Sequence, residues 1–514
     1  MPNDAETFDA TLTRALALQQ DGRTREALEA FEACLAVAPT HARTHHLAGL
    51  ARVRLDDWPR AIAHLRVAVA AEPRVAEGWM YLASALHHVG RLDDAERLAR
   101  QAISMQPALG GAWNTLGMVA LDRGRFDEGL AHFTRALQYE PALGLARMNL
   151  GCCEHGLGRD DEAMASFNDA LELDPTLAPA HYNLGALHHK RGRYVEAIGH
   201  YRQAIALRPT DAQSHFNLAL ALLATGLFEE AWKEYAWRPE RRDSAGVVRH
   251  EGRERIAIHA EQGLGDVLFF LRYAPALRER GATLDFVGDA RLQPMLRRTG
   301  LFASMARDVN ELEPAARDVM LAGDIAVPSA ALPAPLSLTA DPARLAAMRT
   351  RLASLGPAPY IALAWRAGEP KAGRMDTLFK QVPLEALGAA LRGVDATWIA
   401  IQRDPVQREI ETLAQAIGAP VHDLCAVNAD LEEALALLAT IDEYVGVSST
   451  LVHLRAGVGG SARVLVPFPA EWRWMATGET SPWFPRAKIY RQAGDGDWRA
   501  SLARLRRDLA TTRR

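Results

Sequence analysis

This 514-residue sequence has little cysteine, little net charge and few aromatic residues. The formal net charge of −4 gives no sequence-wide attraction to nucleic acid or to an anionic membrane. No apolar run reaches the roughly 20 residues that span a bilayer, and the acidic N-terminal segment lacks the apolar core of a signal peptide. The four cysteines match neither a disulfide framework nor a zinc site: Cys34, Cys152, Cys153 and Cys425. These absences favour a cytoplasmic protein, and the length predicts two or three domains.

Proline recurs at a fixed interval in the first half of the chain. Six prolines each lie 34 positions after the last: Pro39, Pro73, Pro107, Pro141, Pro175 and Pro209. Small residues recur where two helices would touch, and glycines recur at the turns, where a glycine adopts a positive φ at little cost. The interval and the pattern resemble the tetratricopeptide repeat, a helix–turn–helix unit. The resemblance implies an all-α solenoid over residues 1–237, whose groove holds an extended partner.

Three asparagines share one position of successive repeats: Asn149, Asn183 and Asn217. An amide both donates and accepts hydrogen bonds, so stacked amides can hold the backbone of an extended chain with little regard to its side chains. This ladder resembles the one in the eukaryotic O-GlcNAc transferase superhelix, which implies binding of a protein acceptor. The alternative is that asparagine is simply common at this position of the repeat.

The sequence pattern changes after the repeats. Residues 238–254 are charged and non-periodic, and we interpret them as a linker. Strand-like and helix-like runs then alternate, which predicts an α/β region with parallel sheets. A Pro/Ala-rich span divides these runs into two Rossmann-like lobes, one over residues 255–355 and one over residues 356–514 with a C-terminal helix. Ligands of such sheets bind beyond the carboxyl ends of the strands.

Two segments at predicted strand ends carry residues suited to a ligand. In HAEQGLGDVLFF, Gly263 and Gly265 follow a strand, and Asp266 opens a helix whose N-terminus favours anions. In EYVGVSSTLVHLRAGVG, a helix follows a buried strand at once and carries His453 in its first turn. The hydroxyl groups at the end of that strand belong to Ser448, Ser449 and Thr450. Hydroxyls, free N–H groups and an imidazole suit a diphosphate, and the alternative reading of both segments is an ordinary helix cap.

Together the two segments resemble the bacterial heptosyltransferases, glycosyltransferases of the two-lobed GT-B fold. That family has a strand–Gly–Asp–helix segment in its first lobe. Its second lobe has an Asp-Thr-Gly-x-x-His segment that holds the donor diphosphate. This sequence matches the histidine at His453 and a hydroxyl at Ser449, but it has Ser448 in place of the aspartate and Thr450 in place of the glycine. The resemblance covers roughly residues 255–495.

The resemblance implies roles for further residues. Asp266 corresponds to the proposed general base, which deprotonates an acceptor hydroxyl. Arg366 and Lys380 fall where the family places groups on the phosphates, and their alternative is a solvated surface charge. Gln402 falls where an acidic residue usually meets the ribose. A cluster of aromatic residues near the C-terminus is interpreted as a packed segment that closes the cleft: Trp472, Trp474, Trp483 and Phe484. The alternative is a surface on which a sugar stacks.

The combined expectation is a metal-independent, inverting protein glycosyltransferase that needs no cofactor. The repeats would capture a protein acceptor, by analogy a surface protein such as flagellin, and the C-terminal module would transfer a sugar from a nucleotide sugar. Two alternatives stay open: a scaffold with a degenerate transferase module, and a lipopolysaccharide-type heptosyltransferase. The repeats argue against the latter, because a lipid-linked acceptor needs no peptide groove. The nucleotide, the sugar and the oligomeric state stay open.

Overall fold

The computed structural model describes residues 2–239, 255–312, 318–325, 332–368, 380–405 and 407–511, with the backbone alone for residues 2–7 and 318. The chain divides into two compact units, residues 1–187 and 188–514. The second unit thus contains the last repeat helices together with the α/β region. None of the helices in the described ranges is long and apolar enough to cross a membrane.

Fourteen helices follow one another over residues 2–239, as the repeat pattern predicts. They pack in consecutive pairs, for example the third helix on the fourth and the fifth on the sixth. The helices are α1 (Pro2–Gln20), α2 (Thr24–Val37), α3 (Ala42–Arg54), α4 (Trp58–Ala71), α5 (Ala76–His88), α6 (Leu92–Met105), α7 (Gly110–Asp122), α8 (Phe126–Tyr139), α9 (Gly144–Gly156), α10 (Asp160–Leu173), α11 (Ala178–Lys190), α12 (Tyr194–Leu207), α13 (Ala212–Thr225) and α14 (Phe228–Tyr235).

Glycines lie where the two helices of a repeat meet. A Cβ atom on Gly117 would lie only 2.5 Å from Cε1 of Phe133. A Cβ atom on Gly151 would lie 2.8 Å from Cε1 of Phe167. Both phenylalanine side chains are buried. The aromatic ring of the second helix therefore fills the space that the missing side chain of the first helix leaves, which confirms the predicted role of the small residues.

A ring nitrogen closes the turn between successive repeats. Trp79 Nε1 donates to the carbonyl of Pro73 at 3.0 Å, and Trp113 Nε1 donates to the carbonyl of Pro107 at 2.9 Å. The equivalent histidine contacts, from Nε2 to the proline carbonyl, are His45–Pro39 at 2.8 Å and His215–Pro209 at 3.0 Å. Each bond gives a partner to a carbonyl near a helix end, where the helix itself supplies none.

The first α/β series forms a parallel sheet of four strands in the order β3-β2-β1-β4. The strands are β1 (Arg255–His259), β2 (Thr283–Val287), β3 (Phe302–Ala306) and β4 (Asp318–Leu321), and the helices are α15 (Leu264–Phe270), α16 (Ala274–Glu279) and α17 (Gln293–Arg298). A 3₁₀ turn over Leu271–Tyr273 separates α15 from α16. Pro275 lies at the start of α16, and because proline cannot donate a helical hydrogen bond, the break falls before it.

The second series forms a parallel sheet of six strands in the order β12-β11-β10-β5-β8-β9. Counted from β5, the order is that of a doubly wound sheet, with its reversal between β5 and β10. The strands are β5 (Tyr360–Ala364), β8 (Thr397–Ala400), β9 (Val421–Asp423), β10 (Glu443–Val447), β11 (Ala462–Val466) and β12 (Ala487–Arg491), with a short antiparallel pair, β6 (Arg366–Ala367) and β7 (Lys380–Gln381). The helices are α18 (Pro342–Leu355), α19 (Leu384–Leu391), α20 (Gln407–Ile417), α21 (Leu431–Thr440), α22 (Thr450–Gly457) and α23 (Arg499–Thr511).

Helix α18 packs on the second series, although the predicted first lobe extends to residue 355. It contacts α21, and Arg344 Nη1 lies 2.5 Å from Asp430 Oδ2 and 3.0 Å from Glu433 Oε1. The Pro/Ala-rich span therefore ends before α18 begins, and the helix joins the elements that follow it.

The last repeat helices pack on the α/β region within the second unit. The Trp232 ring of α14 lies edge-on to Phe270, with ring centroids 6.0 Å apart, and the backbone N–H of Ala476 donates to the carbonyl of Ala224 at 2.7 Å. Arg238, predicted as the first linker residue, is fully buried and pairs with Glu261 at 2.9 Å and with Asp324 at 2.7 Å. Arg238 therefore links the end of the repeat region to the first α/β series. Residues 240–254 of the predicted linker lie outside the described residues.

The substitution Gly117→Ala tests the close approach of α7 and α8. The added Cβ atom would overlap the Phe133 ring, and overpacking of this kind costs about 1–3 kcal/mol. Gly199 is the matched control, since no atom lies within 4 Å of a Cβ built there in α12. Gly199→Ala should stabilise by about 0.5–1 kcal/mol because alanine favours a helix. Urea unfolding followed by circular dichroism measures the unfolding free energy of both variants. Changes of the same sign in the two variants would contradict the close packing at Gly117.

Candidate functional site

The two segments selected from the sequence face each other in the structure. Helix α15 follows β1 and α22 follows β10, and the two helices are in contact. A Cβ atom on Gly265 would lie 3.2 Å from His453 Cδ2 and 3.6 Å from the Cα atom of Thr450. The absence of a side chain at Gly265 thus lets α15 lie directly against α22. Gly263 precedes α15 in extended backbone, and a Cβ atom there would lie 3.5 Å from Asp266 Oδ2.

A chain of charged contacts joins the predicted residues of the two segments. Arg473 pairs with Asp266 through Nη2 and with Glu471 through Nη1. The other oxygen of Glu471, Oε2, lies 2.5 Å from Lys380 Nζ and accepts a hydrogen bond from Ser448 Oγ at 3.1 Å. Lys380 Nζ also donates to the carbonyl of Ser448 at 3.3 Å. The structure therefore brings Asp266, Lys380 and Ser448 into one network.

The two central members of this network, Glu471 and Arg473, were missed by the sequence analysis. They lie among tryptophans in the segment EWRW, from which only the aromatic residues were considered. The Arg473 guanidinium carbon lies 4.3 Å from the ring centroid of Trp472 and 4.9 Å from that of Phe269. Charged residues that alternate with buried tryptophans need ionic partners, and that alternation was the available signal.

The aromatic cluster is packed, as the sequence analysis expected. Trp472, Trp474, Trp483 and Phe484 are all buried. Trp474 stacks on Phe484, with ring centroids 4.9 Å apart. These rings pack beside Arg473, whose side chain is buried, whereas Asp266 at the end of the network is 39% exposed.

The network is held in its ionised form. Burial alone would raise the pKa of Glu471, but Lys380 and Arg473 outweigh burial and hold that pKa well below its usual range. Burial likewise opposes the charge of Arg473, and Asp266 and Glu471 overcome it and raise the pKa of its guanidinium. Two carboxylates therefore alternate with two cations, and the formal charge of the network is zero.

His453 is a neutral imidazole in this environment. Its side chain is buried, and burial together with the charges of Arg473 and Arg272 lowers its pKa well below the ordinary value. The ring lies edge-on to Phe484, with centroids 5.2 Å apart. A neutral imidazole donates one hydrogen bond and accepts another, so His453 can bind a ligand oxygen without adding charge.

Gln402 holds the backbone after β5. Its Oε1 accepts from the N–H groups of Trp365 and Arg366, both at 3.0 Å. Its Nε2 donates to the carbonyls of Arg366 and Arg403, also at 3.0 Å. These four bonds use every donor and acceptor site of the amide. The ribose role that the resemblance implied for Gln402 is therefore replaced by a backbone role in this conformation.

Arg366 and Ser449 do not have the structural roles offered as alternatives in the sequence, which were a solvated surface charge for Arg366 and a helix cap for Ser449. The Arg366 guanidinium pairs with Glu409, with Nε–Oε1 and Nη2–Oε2 distances of 3.1 Å, so it is no solvated surface charge. A phosphate role for Arg366 requires release from Glu409. Ser449 precedes α22 in extended backbone, and its hydroxyl makes no capping bond to that helix. Thr450 is the first residue of α22.

The three asparagines of the predicted ladder have different surroundings. In the first unit, Asn149 is half-buried, and Asn183 Nδ2 donates to Cys152 Sγ at 3.4 Å. In the second unit, Asn217 is only 2% exposed, and its Oδ1 accepts from Gln213 Nε2 at 3.3 Å. Burial removes Asn217 from any peptide-binding surface, so the predicted ladder is wrong at this position. Within the described ranges, no group of three His, Cys, Asp or Glu residues is placed to hold a metal ion.

Comparison with family models identifies the repeats. Models described as tetratricopeptide repeats match residues 46–109, 114–178 and 166–199, and a model described as a TPR repeat matches residues 187–226. Tetratricopeptide repeats are present in this chain. The matches lie within the fourteen-helix region.

A curated relative is Protein FlbA of Caulobacter vibrioides (strain ATCC 19089 / CIP 103742 / CB 15), which is 26% identical over 318 residues. The match covers 55% of this chain and 52% of FlbA, so the chain spans about half the length of the curated relative that it matches.

Similar solved structures each resemble part of the chain. The APC/C hetero-tetramer Cut9-Hcn1 is 18% identical, with a TM-score of 0.40, and the match covers 42% of this chain and 43% of that one. MamA protein is 23% identical, with a TM-score of 0.29 and coverages of 34% and 96%. TTC0263, a thermophilic TPR protein in Thermus thermophilus, is 22% identical, with a TM-score of 0.33 and coverages of 35% and 99%.

The substitution Glu471→Gln tests the charged network. The variant leaves two cations beside a neutral amide, and breaking a buried ion pair of this kind costs about 3 kcal/mol or more. Glu433→Gln is the control, because Glu433 and its partner Arg344 are each 38% exposed, and such a pair contributes less than about 1 kcal/mol. Urea unfolding at neutral pH compares the two variants. Equal losses of unfolding free energy would show that the network does not stabilise the fold more than a surface ion pair does.

The same variant has a defined acid dependence. The pKa of Glu471 is lower in the folded chain than in the unfolded one, so its contribution is complete at neutral pH. The contribution is lost as the pH falls below the unfolded value of about 4.3. The wild type should therefore lose more stability than Glu471→Gln between pH 6 and pH 3, as measured by urea unfolding. If the wild type and Glu471→Gln lost the same unfolding free energy over this pH range, Glu471 would not be held as a carboxylate.

Proposed function

We propose that this chain is a protein glycosyltransferase with a GT-B catalytic module, which transfers a sugar from a nucleotide sugar to a protein acceptor held by the repeats. One observation carries the proposal. Asp266, which follows β1 of the first sheet, is linked through Arg473 and Glu471 to Lys380 and to Ser448 at the end of β10 in the second sheet. The carboxyl ends of parallel strands are where such sheets bind ligands, and β10 borders the reversal in strand order.

The donor diphosphate belongs at the start of α22. The first N–H groups of that helix have no partner within it, and the helix dipole favours a negative charge there. Lys380 Nζ lies at the same point, within 3.3 Å of the Ser448 carbonyl. Since Lys380 already pairs with Glu471, a diphosphate must displace this carboxylate or share the lysine with it. Ser448 and the neutral His453 supply uncharged hydrogen bonds.

Transfer is then a single displacement. The acceptor hydroxyl oxygen attacks the anomeric carbon of the sugar while the bond from that carbon to the phosphate oxygen breaks. The hydroxyl proton passes to the Asp266 carboxylate, and the nucleoside diphosphate leaves with its negative charge stabilised by Lys380 and the N-terminus of α22. Attack opposite to the leaving group inverts the anomeric centre. Arg473 orients Asp266 through Oδ1, and the other oxygen, Oδ2, is the one that accepts the proton of the acceptor hydroxyl.

A scaffold without transferase activity is the second candidate, and the same contacts favour it. Asp266 is paired with Arg473, Lys380 is paired with Glu471, and the Gln402 amide is fully used by the backbone. In that case the network is a structural link and binds no donor.

Donor binding separates the two candidates. Thermal unfolding of the full chain is measured with ADP, UDP, GDP, CMP and their sugar conjugates. A ligand at about 100 times its dissociation constant stabilises the protein by about 2.7 kcal/mol, which raises the melting temperature. Lys380→Ala should abolish the shift. Arg403→Ala is the control, because this arginine is 80% exposed and should leave the shift intact. No shift with any nucleotide would favour the scaffold.

Transfer itself depends on Asp266. The nucleotide sugar that shifts unfolding is labelled in the sugar and incubated with the full chain and the proteins of the source cell. Asp266→Asn should keep donor affinity and slow labelling of the acceptor by at least about 100-fold, because a general base contributes that much or more. Asp289→Asn is the control, since Asp289 pairs with its neighbour Arg291 on the surface of the first series. Unchanged labelling in Asp266→Asn would remove Asp266 as the base.

A further inference from the structure

The segment that carries Asp266 has little intrinsic rigidity. Helix α15 has only seven residues, and a helix this short is marginal without tertiary contacts. Gly263, at its N-cap position, has no side chain that could accept from the first N–H groups of the helix. Gly265 adds a second permissive backbone position. The direction of the Asp266 side chain therefore depends on contacts with other parts of the chain.

The end of the repeat region supplies such contacts. The hydroxyl of Tyr235, the last residue of α14, accepts a hydrogen bond from Gln262 Nε2 at 3.2 Å. Arg238, just after that helix, pairs with Glu261 at 2.9 Å. The two residues that precede Gly263 are thus each bound by a side chain from the end of the repeats.

The two contacts differ in how much depends on them. Glu261 also accepts from the backbone N–H groups of Ala322 at 2.8 Å and Gly323 at 2.9 Å, so several groups share in holding it. The Gln262 amide makes one other hydrogen bond within the described ranges, at 3.5 Å to its neighbour Glu261. Tyr235 is therefore the group outside this segment to which the Gln262 side chain is bound.

Tyr235 is a fixed acceptor for that bond. It is 5% exposed, and its ring lies 5.7 Å from that of Phe270 and 5.5 Å from that of Trp232, centroid to centroid. Burial, and the nearby charge of Asp266, raise the pKa of its hydroxyl, so the phenol is uncharged at neutral pH. An uncharged hydroxyl accepts from Gln262 and keeps its own proton.

We propose that Tyr235 is a positioning residue for transfer, whose bond to Gln262 holds the segment so that Asp266 faces the acceptor hydroxyl. This inference rests on the proposed function. The last repeat helix then does more than extend the solenoid, because it supports the general base. The donor diphosphate lies at the start of α22, in the other series, and does not contact this bond. Loss of the bond should therefore slow transfer and leave donor binding unchanged.

The substitution Tyr235→Phe removes the hydroxyl and keeps the ring. Labelling of source-cell proteins is followed with the full chain and the sugar-labelled nucleotide sugar that shifts thermal unfolding. At saturating donor the rate should fall about tenfold or more, because a small displacement of a reacting group costs that much, and the KM for the donor should not change. Hydrogen–deuterium exchange of residues 260–270 should quicken about fivefold, since one ordinary hydrogen bond is lost.

Tyr201→Phe is the matched control. It makes the same change 34 positions earlier, at the equivalent place of the preceding repeat, where the ring contacts His189 of α11. This variant should keep both the labelling rate and the exchange rate of residues 260–270. Equal losses of labelling rate in the two variants would overturn the inference, because they would reflect the stability of the repeats in general.

A second variant approaches the same bond from the other side and covers the case in which Tyr235→Phe does not fold. Gln262→Met removes the donor and should slow labelling to the same extent. If the two residues act through their shared bond, the double variant is no slower than the slower single variant. Multiplied losses in the double variant, or an unchanged rate in Tyr235→Phe, would overturn the inference while labelling by the wild type leaves the proposed function standing. Absence of labelling by the wild type would overturn the proposed function, and with it the role of Tyr235 in transfer.

Discussion

The geometry of the α/β region depends on one buried cation between two carboxylates. Arg473 pairs with Asp266 of the first series and with Glu471 in the segment after β11. Glu471 in turn pairs with Lys380. Removing a charge from water costs several kcal/mol unless a partner of opposite sign is close. The positions of Asp266 and Lys380 are therefore coupled through Arg473, and the rings of Phe269 and Trp472 on the guanidinium strengthen that coupling by excluding water.

Because of this coupling, the residues of the candidate site lie close together, but their charges already cancel. A negatively charged ligand meets Lys380 only in competition with Glu471, which belongs to the chain and is always present. An anion with two or more charges has the advantage over one carboxylate, because it interacts with Lys380 and with the N-terminus of α22 together. A weakly charged ligand has no such advantage. Under the proposed function, the network selects for a strongly anionic donor; if no anion displaces Glu471, the network is a permanent structural link.

The repeats and the order of strands and helices could be predicted because their signals are local. A 34-residue period and alternating apolar runs are visible within a short window of sequence. The network could not be predicted in this way, since Lys380 and Glu471 are 91 positions apart. The resemblance named Asp266, Lys380 and His453, and it gave Gln402 a ribose role, although the backbone uses every hydrogen-bonding site of that amide in this conformation. Strands β3, β9 and β12 lie at sheet edges, where apolar periodicity is weak, so a short window of sequence indicates them less clearly than the central strands.

Asn217 shows why a repeat position alone does not define a surface. It has the same place in its repeat as Asn149 and Asn183, yet its helix belongs to the second unit and is covered. Helix α13 contacts the 3₁₀ turn Trp472–Trp474, and the carbonyl of Ala224 in that helix accepts from Ala476 just beyond this turn. The turn carries Arg473 itself. The last repeat is therefore part of the framework that holds the buried cation.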